Sequence, residues 1–412
     1  MTKALRIALI ALTTAVVNAS SAHAAVMPLG ASAPSAGGVA GRPLIVGSSS
    51  HVVAIEYEAW FGPHAVPFQN AEARPWLQST DMQPVGGGYD SADPAVIEQH
   101  VRWLEYMSVD AATLDLTNNV GCIFSTGPVS RTFCDPPNEQ FRQDNRNIRD
   151  NDENLYRAWT ALKTRLKLIP LTGCQTWMDV AKDADGTSGF QKEVEYFGRL
   201  MREYPGLDVS YEGRPRMLVY TGTPMNVSLW HTCKTVLATS GLSSAYTFRF
   251  IAGYLDSQPS FWENPNEQPH GPIEIAPRYG FWSVVDRYKP SYHYYPTYDV
   301  VHGSSGRPEN LTVSIATAGQ SRWGCPQPAY CPDDALRYAG FGSRYVTLDK
   351  FMEVAGELRP TFLIVDQFNE FAQPDEGWNP DTSDDAEPTR LPGGWAFGAL
   401  QALHDAIYLY RR

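Results

Sequence analysis

Eight apolar segments of strand length, separated for the most part by helix-patterned stretches, constrain this chain more than any other feature. The strand candidates are 52–58 (VVAIEYE), 111–117 (AATLDLT), 166–172 (LKLIPLT), 216–221 (RMLVYT), 248–254 (FRFIAGY), 280–286 (GFWSVVD), 311–317 (LTVSIAT) and 362–368 (FLIVDQF). Helical patterning occupies 94–107, 151–163, 187–204, 228–240, 347–357 and 394–410. The first of these opens with Asp93 as cap and Pro94 at the first position, where a missing N–H leaves no bond unmade. Strands alternating with helices build parallel sheets, because a parallel neighbour is reached only through a crossover. Eight such units predict an α/β fold with one domain, a (β/α)8 TIM barrel over residues 51–412. The open doubly wound alternative lacks a glycine-rich phosphate loop after its first strand. The sixth unit is the weakest, since "YKPSYHYYPTYDVVHG" reads as a long loop.

The N-terminus reads differently. Lys3 and Arg6 precede an apolar run to about Val17, and Ala22-His23-Ala24 offers the small residues that signal peptidase needs. Residues 1–24 are therefore expected to be a signal peptide. Residues 25–50, rich in Ala, Gly, Ser and Pro, are expected to be a flexible leader. No later stretch approaches the ~20 apolar residues of a membrane span, so the expectation is a secreted or periplasmic protein with no membrane partner. Formal charge is −12, and −14 once Lys3 and Arg6 leave with the signal. An acidic chain without a basic patch is a poor ligand for nucleic acid. Six cysteines fit an oxidising compartment. Cys122/Cys134 and Cys325/Cys331 are the expected short disulfides, and Cys174/Cys233 is a further pair. Neither Cys-x-x-Cys nor His-x-x-x-His spacing occurs, so no metal and no cofactor is expected.

Side-chain alternation places chemistry at one end of the barrel. Val53, Ile55 and Tyr57 share one face of the first strand, and Ala54, Glu56 and Glu58 the other. In the second strand Ala112, Leu114 and Leu116 oppose Ala111, Thr113, Asp115 and Thr117. Faces that pack on helices are aliphatic, so Glu56, Glu58 and Asp115 should point inward. Barrel active sites sit at the C-terminal strand ends, where Asp286, Asp366, Glu370, Asp375 and Glu376 also fall. The first, second and eighth strands are neighbours in a closed ring. Two carboxyl groups facing one glycosidic bond are what sugar hydrolysis requires. Glu370 is the leading catalytic candidate, with Glu376, Glu58 or Asp115 as the second acid. Asp366 is read as orienting Glu370, and Glu56 and Asp286 as members of ion pairs. Trp60, Phe61, Trp177, Trp262, Trp323 and Trp378 could wall a sugar cleft. The candidate substrate contacts are Tyr57, Trp60, Tyr89, Asp90, Asn118, Trp323, Asn369 and Trp378.

"AIEYEAWFGP" (54–63) and "GGGYDSADPAVIEQHVRWLEYMSVDAATLDLTNN" (86–119) resemble the opening of glycoside hydrolase family 99 and the related WbsX-like proteins. Gly88, Tyr89, Asp90, Ser91, Asp93, Pro94, Ile97 and His100 fit the family's Gly-Tyr-Asp-Ser-x-Asp-Pro stretch and the inward histidine of its first helix. "QFNEFAQPDEGWNPDTSDDAEPT" is similar to a stretched form of the closing Asn-Glu-Trp-x-Glu-Gly…Glu-Pro motif. Asn369 and Glu370 match its start, Phe371 stands in place of Trp, and Glu387-Pro388 match its end. The likeness covers both ends of the barrel well and the middle poorly.

The resemblance implies a secreted (β/α)8 retaining glycosidase without a metal. The glutamate matching Glu370 would assist the substrate's own 2-hydroxyl, and a second glutamate three residues on would be the acid/base. Gln373 holds that register here; with Gln373-Pro374-Asp375 read as an insertion, Glu376-Gly377 realigns. Otherwise the acid comes from Glu58 or Asp115. The expectation is a glycoside hydrolase acting on a polysaccharide or oligosaccharide. A catalytically inactive glycan-binding barrel and a lyase are the other readings.

Overall fold

The computed structural model describes residues 38–47, 49–62, 89–117, 120–125, 139–214, 216–222, 227–241, 245–252, 281–283, 308–315, 346–366, 368–369, 386–388 and 395–412. In chain order the elements are β1 (Leu44–Val46), β2 (Val52–Tyr57), α1 (Pro94–Tyr106), β3 (Ala111–Leu116), α2 (Val120–Phe124), α3 (Glu139–Leu162), β4 (Lys167–Cys174), α4 (Trp177–Val180) and α5 (Gly189–Glu203). There follow β5 (Val209–Tyr211), β6 (Arg216–Gly222), α6 (Val227–Thr239), β7 (Tyr246–Ala252), β8 (Phe281–Ser283), β9 (Asn310–Ser314), α7 (Val346–Leu358), β10 (Phe362–Asp366) and α8 (Trp395–Tyr410).

All eight expected strands are present, and they form one parallel sheet ordered β8-β7-β6-β4-β3-β2-β10-β9. The last strand of the chain pairs with the first of the eight: Leu363 is level with Val53 and Val365 with Ile55. This is the order of a barrel read around its ring. The expected closure, however, is incomplete among the described residues. No hydrogen-bonded pairing joins β8 to β9, although the two strands approach within 8 Å between Cα atoms. The architecture established here is eight parallel strands in barrel order with one unpaired seam. A buried ion pair spans that seam: Arg249 of β7 donates to both carboxylate oxygens of Glu309, the residue before β9. Tyr211 donates to the same carboxylate at 3.0 Å.

The expected alternation of faces divides two cores. Val53, Ile55, Ala112, Leu114, Leu168 and Leu363 pack with the helices. Val52, Ala54, Ala111, Ile169, Leu171, Phe362 and Ile364 form the other cluster, together with Leu44, Val46, Val209 and Tyr211. Those last four belong to β1 and β5, which pair in parallel as a separate two-stranded sheet. They cover the N-terminal ends of the strands. Part of the stretch read as a flexible leader is therefore in the fold, because Leu44 and Val46 bury apolar surface there. The segment is tied further by Lys167 Nζ, which donates to the Val39 carbonyl at 3.0 Å. The signal-peptide reading of residues 1–24 lies outside the described residues. No helix among the described residues is long and apolar enough to cross a membrane.

The helices cover the outer face. Asp93 caps α1 by accepting from Ala95 N–H at 2.8 Å, and Ser188 caps α5 by accepting from Gln191 N–H. The C-terminal helix α8 lies on α1. Tyr106 donates to Gln401 at 2.6 Å and stacks on His404. Arg411, just past α8, donates to Asp110 at 2.6 Å, and Asp110 also accepts from Val53 N–H.

Candidate active site

The C-terminal ends of β2 and β3 carry the densest group of acids. One carboxylate oxygen each from Glu56, Glu58 and Asp115 lie within 4.8 Å of one another. All three occupy the inward register predicted from alternation. Glu58 and Asp115 are buried, at 2% and 6% exposure, despite sitting at strand ends. Burial pushes the Asp115 carboxyl up to about 6, against the opposing pull of the Thr117 N–H, which donates to it at 2.6 Å. A carboxyl raised in this way holds its proton to higher pH than an exposed aspartate, which suits it to act as an acid.

The backbone around these groups is fixed by bonds between loops. The Asn369 side chain pairs with the Glu58 peptide in both directions: its Oδ1 accepts from Glu58 N–H and its Nδ2 donates to Glu58 O, each at 2.9 Å. This continues the β10–β2 pairing past the last strand residue. Asn369 Nδ2 also donates to Tyr89 Oη at 3.0 Å, and Tyr89 in turn donates to Glu387 at 2.7 Å. Glu387 lies 3.3 Å from His100 Nε2, and His100 Nδ1 lies 2.8 Å from Tyr57 Oη. The segments that carry the family resemblance are thus joined in one buried chain: Tyr57, His100, Glu387, Tyr89 and Asn369. Burial first, and then the Glu387 charge, hold the Tyr57 and Tyr89 hydroxyls well above their ordinary pKa, so both remain donors.

Several expected substrate contacts are used in this packing. Tyr57 is fully buried on the helix side, stacked on Phe368, and its hydroxyl positions His100. Trp60 is 7% exposed and donates its indole N–H to the Asp115 carbonyl at 3.0 Å, tying the β2 loop to β3. Asp90 caps a turn, accepting from Ala92 N–H at 2.9 Å. Asn369 holds the Glu58 backbone and Tyr89 accepts from Asn369, as described above. Asn118, Trp323, Glu370, Glu376 and Trp378 lie outside the described residues, as do Trp262, Asp286 and Asp375. The Asp366 side chain is also outside them.

Sequence reasoning missed the acids that back this site from the helices. Asp152 of α3 is fully buried with neither carboxylate oxygen hydrogen-bonded. Burial, then the charge of Asp115, push its pKa well up. Glu193 of α5, also fully buried, accepts from Gly173 N–H at 3.3 Å, and burial raises its pKa well above the carboxylate range. Next to Asp152, Asn151 donates to the Ala59 carbonyl at 2.9 Å. "RDNDENLYRAW" (149–159) is so charged that it reads as a solvated helix face, which hid Asp152.

Of the expected disulfides, Cys174–Cys233 is formed, linking the end of β4 to α6. Cys122 is also disulfide-bonded, to a partner outside the described residues, and Cys325/Cys331 lies outside them. Glu56, Glu58 and Asp115 form the group among the described residues whose ligand atoms approach closely enough to hold a metal ion.

No protein-family model matches the chain, and no curated protein matches it. Solved structures do. The GH99 endo-alpha-mannosidase from Bacteroides thetaiotaomicron in complex with bis-tris-propane is 12% identical, over 88% of this chain and 98% of that one, with a TM-score of 0.45. A glycoside hydrolase-like protein is 10% identical over 90% and 98%, also at 0.45. A GH138 enzyme targeting pectin rhamnogalacturonan II is 12% identical over 90% of this chain and 39% of its own, at 0.36. Similarity at this level decides neither fold nor activity for this chain.

Proposed function

We propose that this protein is an exported glycoside hydrolase with a closed (β/α)8 barrel, acting on a polysaccharide or oligosaccharide. One observation carries the reading: Glu56, Glu58 and Asp115 converge within 4.8 Å at the strand ends where barrels place their chemistry. Burying the Glu58 and Asp115 carboxyls costs folding energy, and groups kept at that cost in a strand-end cluster are candidates for chemistry. The roles divide by protonation. Asp115, pushed up to about 6, is the acid: its proton passes to the glycosidic oxygen as the bond to the anomeric carbon breaks. The positive charge that develops on the sugar is met by a second carboxylate, Glu58 or Glu370, and water then adds to the anomeric carbon and returns a proton to Asp115. Glu370 follows Asn369, which is bonded to the Glu58 backbone, and the family resemblance gives it the role at the anomeric centre. Glu376 is the remaining candidate acid.

The test is release of reducing ends from α-mannan, rhamnogalacturonan, xylan and dextran. The reading expects release from at least one, and NMR of the first product anomer would then separate retention from inversion. A folded protein that releases none from the whole panel contradicts it.

A further inference from the structure

Three of the aromatics expected to wall the cleft lie among the described residues, and they differ in fate. Phe61 is fully buried and Trp60 nearly so, while Trp177 is 52% exposed. The other exposed large apolar side chains among the described residues, Val39, Ile45, Leu162 and Leu409, are aliphatic. Lone exposed apolar residues are ordinary, so exposure by itself means little. Two further observations single out Trp177.

The first is position. β4 leaves the sheet beside the site: Thr172 is level with Leu116, one residue past Asp115. A Cβ on Gly173 would lie 2.0 Å from the Thr117 carbonyl oxygen. Trp177 begins the short helix that follows.

The second is the rigidity of its mount. Asp179, buried, accepts from the backbone N–H groups of Gln175 and Thr176 through Oδ2 and from Gly121 N–H through Oδ1, all at 2.8–2.9 Å. Met178 backbone atoms lie 3.0 Å from where a Gly121 Cβ would be. The Cys174–Cys233 disulfide anchors the approach. A turn whose backbone is held by a buried acid, a close glycine contact and a disulfide presents a large aromatic that is half exposed to water. A mount already ordered spares binding the cost of ordering the backbone that carries the aromatic.

We propose that Trp177 is a stacking platform for a pyranose ring of a bound glycan, beside the carboxylates and not among them. The indole face suits the C–H-rich face of a sugar. The proposal rests on the glycosidase reading for its ligand class, and binding is measured apart from turnover.

Native gel electrophoresis through gels containing α-mannan, rhamnogalacturonan, xylan or dextran reads binding as retardation. The wild type should be retarded by at least one of them. Trp177→Ala should bind that polysaccharide about tenfold more weakly, the upper range of one aromatic contact. Trp177→Tyr should recover most of the retardation, and Leu409→Ala should migrate as wild type. All should share one melting temperature. Wild-type retardation in Trp177→Ala, or no retardation of the wild type in any gel, overturns the proposal. Reducing-end release measured alongside separates the two ideas. Hydrolysis with unchanged retardation removes the platform and leaves the glycosidase. Retardation lost in Trp177→Ala, with no hydrolysis by the wild type, does the reverse.

Discussion

Asp115 shows how one side chain joins function to stability. Its folded pKa of about 6 exceeds an ordinary aspartate's ~3.9. Between those values the native state holds a proton that the unfolded chain has released. Stability from this group is therefore highest below about pH 4 and falls by up to ~3 kcal/mol as pH rises through 6. Burial raises Asp152 and Glu193 in the same direction, so they extend the decline to higher pH. Asp115→Asn keeps an acceptor for the Thr117 N–H and removes the titration. Its melting temperature should exceed wild type at pH 7.5 and match it at pH 4, as read by calorimetry. Equal pH dependence in the two proteins would mean that Asp115 titrates normally. A residue that weakens the fold at neutral pH while sitting at the site is the signature of stability exchanged for activity.

At the scale of elements, Cys174–Cys233 joins residues separated by 59 in sequence. On the chain-entropy model a loop of that length stabilises by about 4 kcal/mol. The double variant Cys174→Ser/Cys233→Ser should unfold at correspondingly lower denaturant with an intact native spectrum, and an unchanged midpoint would show that the bond constrains nothing. The strands and helices were legible because each carries its own period: FLIVD (362–366) and AATLDL (111–116) are apolar runs bounded by turns, and Asp93-Pro94 announces a helix start. β1 and β5 were not, since three residues are too few to show alternation, and their stability comes from the partner they pack on. Inward Glu56, Glu58 and Asp115 followed from the pleat alone. The fate of Tyr57 and Trp60 did not follow from it, because an aromatic at a strand end fits a core and a cleft equally well. Only their bonds to His100 and to the Asp115 carbonyl distinguish the two.

For the whole molecule, the pairing of β10 with β2 decides the ring-like order, and the Arg249–Glu309 pair ties its two free sides. Glu309 is 1% exposed at the side chain, so Glu309→Leu leaves the buried guanidinium with the half-exposed Glu212 as its remaining carboxylate partner and should cost up to about 3 kcal/mol. Because this pair lies at the N-terminal strand ends, catalytic constants of the folded fraction should not change. A fall in kcat without loss of stability would place Glu309 in the site instead.

The account depends most on the acids at the ends of β2 and β3. The direct measurement is kcat/KM for Glu58→Gln and Asp115→Asn on whichever polysaccharide the wild type cleaves, with folding checked by circular dichroism. Positioned acid–base groups contribute about 10²–10⁴. Asp115→Asn should therefore fall at least a hundredfold and lose the limb of the pH–rate profile near 6, and Glu58→Gln should fall markedly. Wild-type rates in both folded variants would contradict the account and leave Glu56, Glu58 and Asp115 as a strand-end cluster with no part in the chemistry.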